Sequence, residues 1–314
     1  MKDYTEYLYL LGYRASTIQQ YNKSLKIFTN WLELNSISIE SCLYQNILDF
    51  IDHAIIHLRN RANPRSTINR MLLSISHYFD CLILENQNLS NPVRNLRMKD
   101  SGRTIDNQFL HKSDLMNLYN QLDTYDPRSV RNKVLLGLLV FQGMTNGELH
   151  TIALNDLKLR KGTLLIRGDR GSYFKKGSST RELNLEALQI IDLIDYIKNI
   201  RPRILAGSYR SLPGRNTEEC RINYKTNQLL LSLSGSENIK SSMFHLFRNL
   251  KKHNPQLKNA TQIRQSVIAS WLKKYDLRRV QYMAGHRYVS STEQYKQIDL
   301  EKLRRKVIEF HPLK

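Results

Sequence analysis

Ile18, Tyr21, Leu25, Phe28 and Leu32 recur at three- and four-residue intervals through STIQQYNKSLKIFTNWLEL, a spacing that lays them along one face of a helix. Ser16 and Thr17 are the expected N-caps. The same reasoning predicts helices within LYQNILDFIDHAIIHL and within STINRMLLSISHYFDCLILE. Asn91-Pro92 is expected to end the last of these, because proline cannot continue the backbone ladder and restrains the residue before it. From Asn95 to Asn107 the chain is polar and charged with no apolar period, which reads as a linker. The expected organisation is a helical domain over 1–98, a linker over 99–108 and a second domain over 109–314.

The second domain mixes helices with a little sheet. KSDLMNLYNQL and PRSVRNKVLLGLLVF read as helices, with Pro127 at a first-turn position and an apolar run that implies burial on all sides. After Gly143, TNGELHTIALNDL gives a short helix and its exit. TLLIRG and TRELNL read as paired strands around the polar segment DRGSYFKKGSS. Helices resume with EALQIIDLIDYIKNI, then KSSMFHLFRNLKK, ATQIRQSVIASWLKK, LRRVQYMAGH and a last one around LEKLRRKVIEF; residues 205–235 resist placement. The whole is mainly α with a small β-sheet.

Charge is unevenly spread. The 314 residues carry 48 Lys plus Arg against 28 Asp plus Glu, a net of +20, of which residues 1–100 supply only +2. Self-repulsion opposes compaction, so a fold does not need this excess. A polyanion compensates it, since each phosphate neutralised releases a counterion. A hydrophobic content of 41% argues against a disordered polycation. The apolar run Val134 to Phe141 is too short for a membrane span, and the N-terminal stretch lacks the pattern of a secretion signal. Cys42, Cys81 and Cys220 are too widely spaced for a zinc cluster or a disulfide framework. A cytoplasmic protein with no membrane partner is expected.

No phosphate-binding glycine loop, dinucleotide fingerprint or metal-binding histidine pattern is present, so neither metal nor nucleotide cofactor is expected. A phosphodiester substrate would need cations to clamp its non-bridging oxygens, a nucleophile to attack in line and an acid to protonate the leaving oxygen. The C-terminal third offers a spaced set. Thr261-Gln262-Ile263-Arg264 is followed 22 residues later by Gly285-His286, and Tyr295 comes nine residues after that histidine.

In this spacing and order of helices, the chain resembles the tyrosine recombinase (phage integrase) family, of Xer and lambda type, nearly end to end. The resemblance implies an N-terminal helical core-binding, SAM-like domain that clamps DNA and an α+β catalytic domain. It implies Tyr295 as nucleophile, forming a 3′-phosphotyrosine link and leaving a free 5′-hydroxyl. Arg264 would hold a phosphate oxygen with its planar fork, and His286 would donate to the same phosphate. In KKGSSTRELNL, Lys176 matches the family's hairpin lysine, a general acid, with Gly177 and Arg181 in register; Lys175 is a competitor because the hairpin is longer here. Arg59, Arg61, Arg65 and Arg70 bunch together and, with Arg181 and Arg287, are expected DNA contacts. Leu303, Val307 and Phe310 form one face of a final segment that docks either on a neighbouring protomer or on its own domain.

Two positions depart from the family pattern. QGMTNGEL keeps Glu148 and Leu149 in register but has Thr145 where the family has its first arginine, and Thr261 stands in place of a histidine. Losing a clamp arginine typically removes about 3 kcal/mol of transition-state stabilisation. Either another cation, Arg170 or Lys175, reaches the phosphate, or the chain cleaves slowly. The expected function is that of a site-specific DNA recombinase, integrase- or transposase-like, acting on double-stranded DNA as a homo-tetramer or in a mixed assembly. The alternative is a catalytically impaired DNA-binding subunit working with an active partner; a type IB topoisomerase is more remote.

Overall fold

The computed structural model describes residues 4–60, 63–85, 90–99, 108–168, 171–172, 175–176, 178–207 and 226–296. They group into two compact units. One contains the described residues before 105 together with the short strands at 171–172 and 175–176; the other contains the rest.

The first unit is built on helices α1 (Tyr4–Leu10), α2 (Ala15–Leu34), α3 (Tyr44–Leu58) and α4 (Pro64–Glu85). The predicted face of α2 is the buried one: Ile18, Tyr21, Phe28 and Leu32 are in the interior and Leu25 is partly so. Phe28 meets Phe50 of α3 edge-on with ring centroids 5.0 Å apart, and both pack into a core with Ile68, Leu72, Ile75 and Phe79 of α4. Burying each such side chain stabilises by roughly 1.5–3 kcal/mol.

The expected caps of α2 are corrected. Its N-cap is Arg14, in extended conformation with no side-chain cap, and Ser16 and Thr17 lie inside the first turn, where the Thr17 N–H donates to the Arg14 carbonyl at 2.8 Å. The α4 helix opens at Pro64, two residues ahead of the predicted start, a position where a missing N–H costs nothing. The Asn91 side-chain amide donates to Asp80 at 2.8 Å and its carbonyl accepts the Val93 N–H at 3.0 Å, so this turn folds back against α4. The Asn69 side chain donates to the Met98 carbonyl at 3.0 Å and accepts its N–H at 2.8 Å. Residues 95–98, read as linker, are thus tied to the first unit; Asp100–Asn107 lie outside the described residues. Arg59 ends α3, and Arg65 and Arg70 lie on α4, all exposed; Arg61 lies outside the described residues.

The second unit contains α5 (Lys112–Asn120), α6 (Pro127–Gln142), α7 (Asn146–Thr151), α8 (Ala187–Asp195), α9 (Arg201–Leu205), α10 (Lys240–His253), α11 (Ala260–Leu272) and α12 (Leu277–Ala284). Pro127 occupies the first turn of α6, behind an Asp126 cap that accepts the Ser129 N–H at 2.5 Å. As the apolar run implied, residues 134–140 are all buried. Strands β1 (Leu157–Lys158), β2 (Thr163–Ile166) and β5 (Arg181–Asn184) make an antiparallel sheet in the order β1-β2-β5, with Leu164 opposite Leu183 and Ile166 opposite Arg181. The segment read only as polar between the predicted strands contains a further hairpin, β3 (Gly171–Ser172) with β4 (Lys175–Lys176).

Part of the stretch that resisted placement is core. Leu229, Leu230 and Leu231 are fully buried, and the Leu229 N–H donates to the Ile152 carbonyl at 2.9 Å. Residues 208–225 and the final segment 301–314 lie outside the described residues. Among the described residues, no helix is long and apolar enough to cross a membrane.

Candidate active site

Two helices of the second unit end on left-handed glycines. Gly143 closes α6 at φ +55° and Gly285 closes α12 at φ +68°. Such caps leave carbonyls at the helix end that need donors and carry the negative end of the helix dipole. Arg264, on α11, supplies them. One terminal nitrogen donates to the Gly143 carbonyl and the other to the Ala284 carbonyl at 2.6 Å. The guanidinium is therefore held by main chain at both helix ends, and its planar fork suits this bridging role better than an ammonium would.

The Gly285 turn also sets His286. Its N–H returns to the Gln281 carbonyl at 3.0 Å, while the Gly285 N–H reaches the Tyr282 carbonyl at 2.9 Å. The glycine-histidine dipeptide is thus a helix stop followed by the residue that the stop turns inward. The His286 Nδ1 lies 2.9 Å from the Thr292 hydroxyl, whose side chain is fully buried. Its ring stacks on Tyr295 with centroids 6.1 Å apart and planes 14° from parallel. Tyr295 sits on the helical stretch 290–296, three residues and about one turn after Thr292. The Tyr295 ring is buried among Ile268, Val280 and Ala284, with Phe109 alongside.

The charges in this cluster are strongly coupled. Burial pushes the Tyr295 phenol up, and the Arg264 charge pulls part of the way back. His286 is held down at about 4, first by burial and then by the Arg264 and Arg181 cations, against a weaker pull from Glu148. The imidazole is therefore neutral at pH 7. The tautomer in which Nδ1 accepts from the Thr292 hydroxyl carries the ring proton on Nε2, the nitrogen left to donate elsewhere. Because the folded value lies below the ordinary 6.5, the unfolded chain takes up the proton first, so this group's contribution is full above about pH 6.5 and fades towards pH 4. The melting temperature is expected to fall between pH 7 and pH 5, and less steeply in His286→Asn; thermal melts of both proteins across that range check it.

Glu148 lies behind the cluster on α7. Burial pushes its carboxyl up, but the hydrogen bonds and charge of Arg181, the Thr145 N–H and the Arg264 charge together hold it below the usual range. Arg181 donates from both terminal nitrogens, at 2.6 and 3.1 Å, and the Thr145 N–H donates at 2.8 Å. Thr145 caps α7 in return, its hydroxyl accepting the Glu148 N–H at 3.2 Å. The position where the family pattern has an arginine is thus occupied by a helix cap. Thr261 is exposed on the first turn of α11.

Residues 108–302 match the family model for the phage integrase family, and residues 1–86 match that for its N-terminal SAM-like domain. The chain belongs to the phage integrase family. Similar relatives of this integrase-family chain include the tyrosine recombinase XerC of Bacillus subtilis, 26% identical over 99% of this chain and 96% of that one. The tyrosine recombinase XerD of Staphylococcus saprophyticus is 24% identical over 99% and 98%. Among solved structures, the XerH recombinase bound to palindromic difH substrate superposes with a TM-score of 0.65 at 18% identity, over 92% of this chain and 78% of that one. The Tn1549 transposon integrase in complex with transposon right end DNA gives 0.63 at 14% identity, over 96% and 98%. These likenesses are likenesses of fold.

Within the integrase fold, three of the four expected site residues, Arg264, His286 and Tyr295, come together in the second unit. Lys176 and Lys175 form strand β4, which groups with the first unit; their side chains and Arg170 lie outside what the structure describes. Arg287 is exposed and, with Arg278, Tyr282 and His286, lines an open hollow of about 310 Å³. Arg181 is corrected. Its side chain is 0% exposed and bound to Glu148, so it presents nothing to DNA in this structure. The sequence reading also missed Thr292, which its place one turn before Tyr295 could have flagged, and the two helix-end carbonyls, which no side-chain motif encodes.

Proposed function

We propose that this protein is a site-specific DNA recombinase that cuts and rejoins double-stranded DNA through a 3′-phosphotyrosine intermediate. The observation that carries the reading is the stacking of Tyr295 on His286 beside the main-chain-held guanidinium of Arg264. The Tyr295 oxygen bonds to the scissile phosphorus as the bond to the 5′-oxygen breaks. Arg264 and the Nε2–H of His286 stabilise the charge that develops on the non-bridging oxygens. Lys176, in the role its motif implies, gives a proton to the departing 5′-oxygen. The phenol releases its proton to water and Lys176 regains one from water, so over the step one proton leaves the phenol and one arrives on the 5′-oxygen. Rejoining is the reverse step by a new 5′-hydroxyl, which is why the phosphodiester energy is kept in the protein–DNA bond. Exchanging two duplexes breaks four strands and each tyrosine serves one. The reading therefore asks for four active sites, in one kind of chain or in a mixed assembly.

A target can be selected directly from random sequence. The protein is incubated with a pool of random-sequence duplexes carrying a nick beside the test position, so that the short 5′-hydroxyl product diffuses away and traps the intermediate. Denaturant-resistant adducts are sequenced, and the linked peptide is identified by mass spectrometry. DNA on the peptide containing Tyr295, with a common sequence among the captured duplexes, is expected. Specific binding with no adduct from the wild-type chain would overturn the catalytic reading in favour of a DNA-binding subunit.

With Thr145 engaged as a cap, the site has one clamp cation fewer than the family pattern, and we expect a slow enzyme. Thr145→Arg is expected to speed adduct formation by about tenfold, well short of the full value of a clamp group because the residue also leaves its cap. The lost cap should cost about 1 kcal/mol of stability. Single-turnover trapping and a denaturant titration measure the two effects; an unchanged or lower rate would mean that another cation already serves the phosphate.

A further inference from the structure

Arg181 is fully buried, and among the described residues its Nε–H finds no hydrogen-bond partner. A buried ion pair is a poor way to stabilise a core, since well-packed apolar residues of similar volume usually do as well or better. The arrangement around this one is more specific than stability requires. Both carboxylate oxygens of Glu148 are engaged by Arg181, and one of them also accepts the Thr145 N–H. The same oxygen lies 4.0 Å from Arg264, near enough to attract but without a hydrogen bond. Arg181 also lies directly beneath the turn that aims His286: a methyl group built on Gly285 would stand 2.4 Å from its Nη1. The backbone at Ser179, two residues before Arg181, donates to the Gly285 carbonyl at 3.4 Å.

We infer that Arg181 is a positioning residue: by occupying Glu148 from beneath the Gly285 turn, it keeps that carboxylate off Arg264 and so leaves the Arg264 fork and His286 presented to a DNA phosphate. The inference deepens the recombinase reading and rests on it. Without Arg181, a buried carboxylate would face Arg264 with no other cation beside it among the described residues, and Coulomb attraction at short range in a poorly solvated site is strong. Glu148 would then draw the guanidinium from its two carbonyls. Arg264 is the buried clamp cation left to the described part of the site with Thr145 in the first arginine's place, so drawing it toward Glu148 would slow the chemistry. The groups facing His286 are Arg264 from α11, Arg181 from β5, Glu148 from α7, Tyr295 and Thr292 from 290–296, Tyr282 and Arg278 from α12, and the neighbouring Arg287. Removing Arg181 deletes one of the two cations that hold the imidazole neutral.

The test uses the full chain and, as probe, the nicked duplex recovered by the random-pool selection. Arg181→Gln is expected to slow adduct formation at least about thirtyfold, and Arg181→Gln with Glu148→Gln to regain most of that loss, because the stranded carboxylate has gone. A role in stability alone also predicts a rescue, since neutralising a stranded buried carboxylate restores folding, but with rates that simply follow the fraction folded. Melts on the same preparations decide: a loss and recovery of rate that tracks the melting temperature across the three proteins would overturn the inference. A second readout needs no activity. The His286 imidazole, followed by NMR in the DNA-free protein, is expected to titrate higher in Arg181→Gln than in the wild type; an unmoved titration would also overturn it. If Arg181→Gln does not fold, Arg181→Lys keeps the charge but cannot bridge both oxygens, and it should show a smaller loss that Glu148→Gln again relieves. Failure of the wild-type chain to form any adduct would count against the recombinase reading, while the NMR comparison would still judge Arg181.

Discussion

Tyr295→Phe should form no covalent adduct at any time point, a loss of at least about four orders of magnitude against the wild-type rate, since the attacking oxygen is gone. The substitution removes one oxygen and keeps the ring. The stack on His286 and the packing against Ile268, Val280 and Ala284 are contacts of the ring, so the melting temperature should move by no more than a few degrees. Binding to the selected duplex should survive as well, because Arg264 and the basic surface are untouched. Trapping gels, a thermal melt and a gel shift on the same preparation separate these effects. An adduct that persists would name a different nucleophile; the linked peptide would then identify it.

Gly285→Ala should be strongly damaging, in two ways at once. At φ +68° an alanine costs about 1 kcal/mol or more in backbone strain. The new Cβ would also meet Arg181 at 2.4 Å from Nη1 and 3.0 Å from Cζ. Those atoms are not the loose end of a surface side chain; they are fixed in the bidentate pair with Glu148. The turn or the pair has to give way, and together the two penalties should reach about 2–4 kcal/mol. Because the turn aims His286, adduct formation should fall at least about a hundredfold in whatever protein remains folded. Gly147→Ala is the natural control. There the nearest atom to a new Cβ is the Thr145 hydroxyl at 3.9 Å, and the exposed helical backbone should accept alanine at no loss. Denaturant titrations of both variants test the contrast, and equal destabilisation would show that the Arg181 contact is softer than described.

The helices were legible wherever one face had to be buried, because three-four spacing survives any tertiary context. That is why the face of α2 and the all-round burial of α6 could be read directly. The ends were harder. Ser16 and Thr17 are good caps by residue type, yet the chain enters α2 through Arg14, a choice made by how the preceding turn returns from α1 rather than by any local preference. Residues 229–231 carry no period at all and are among the most buried in the protein, because a short extended segment covered on every side needs only to be apolar.

At the site, Arg264, His286 and Tyr295 were legible because their order and spacing resemble the family's motif. Arg181 was not, for its basic side chain in a hairpin looks the same in a sequence whether it faces a phosphate or a buried carboxylate 33 positions away. Thr145 and Glu148 were visible as a departure and a match in one motif; that they cap each other needed coordinates.

The way Arg264 is anchored bears on how such a chain tolerates change. Carbonyl oxygens are the same whatever side chains their residues carry, so a guanidinium tethered to them is insulated from drift in the neighbouring letters of the sequence. An arginine at position 145 could be lost without unseating the one at 264. A lineage that slowed its chemistry by that route would keep the remaining machinery in register, one substitution away from regaining speed.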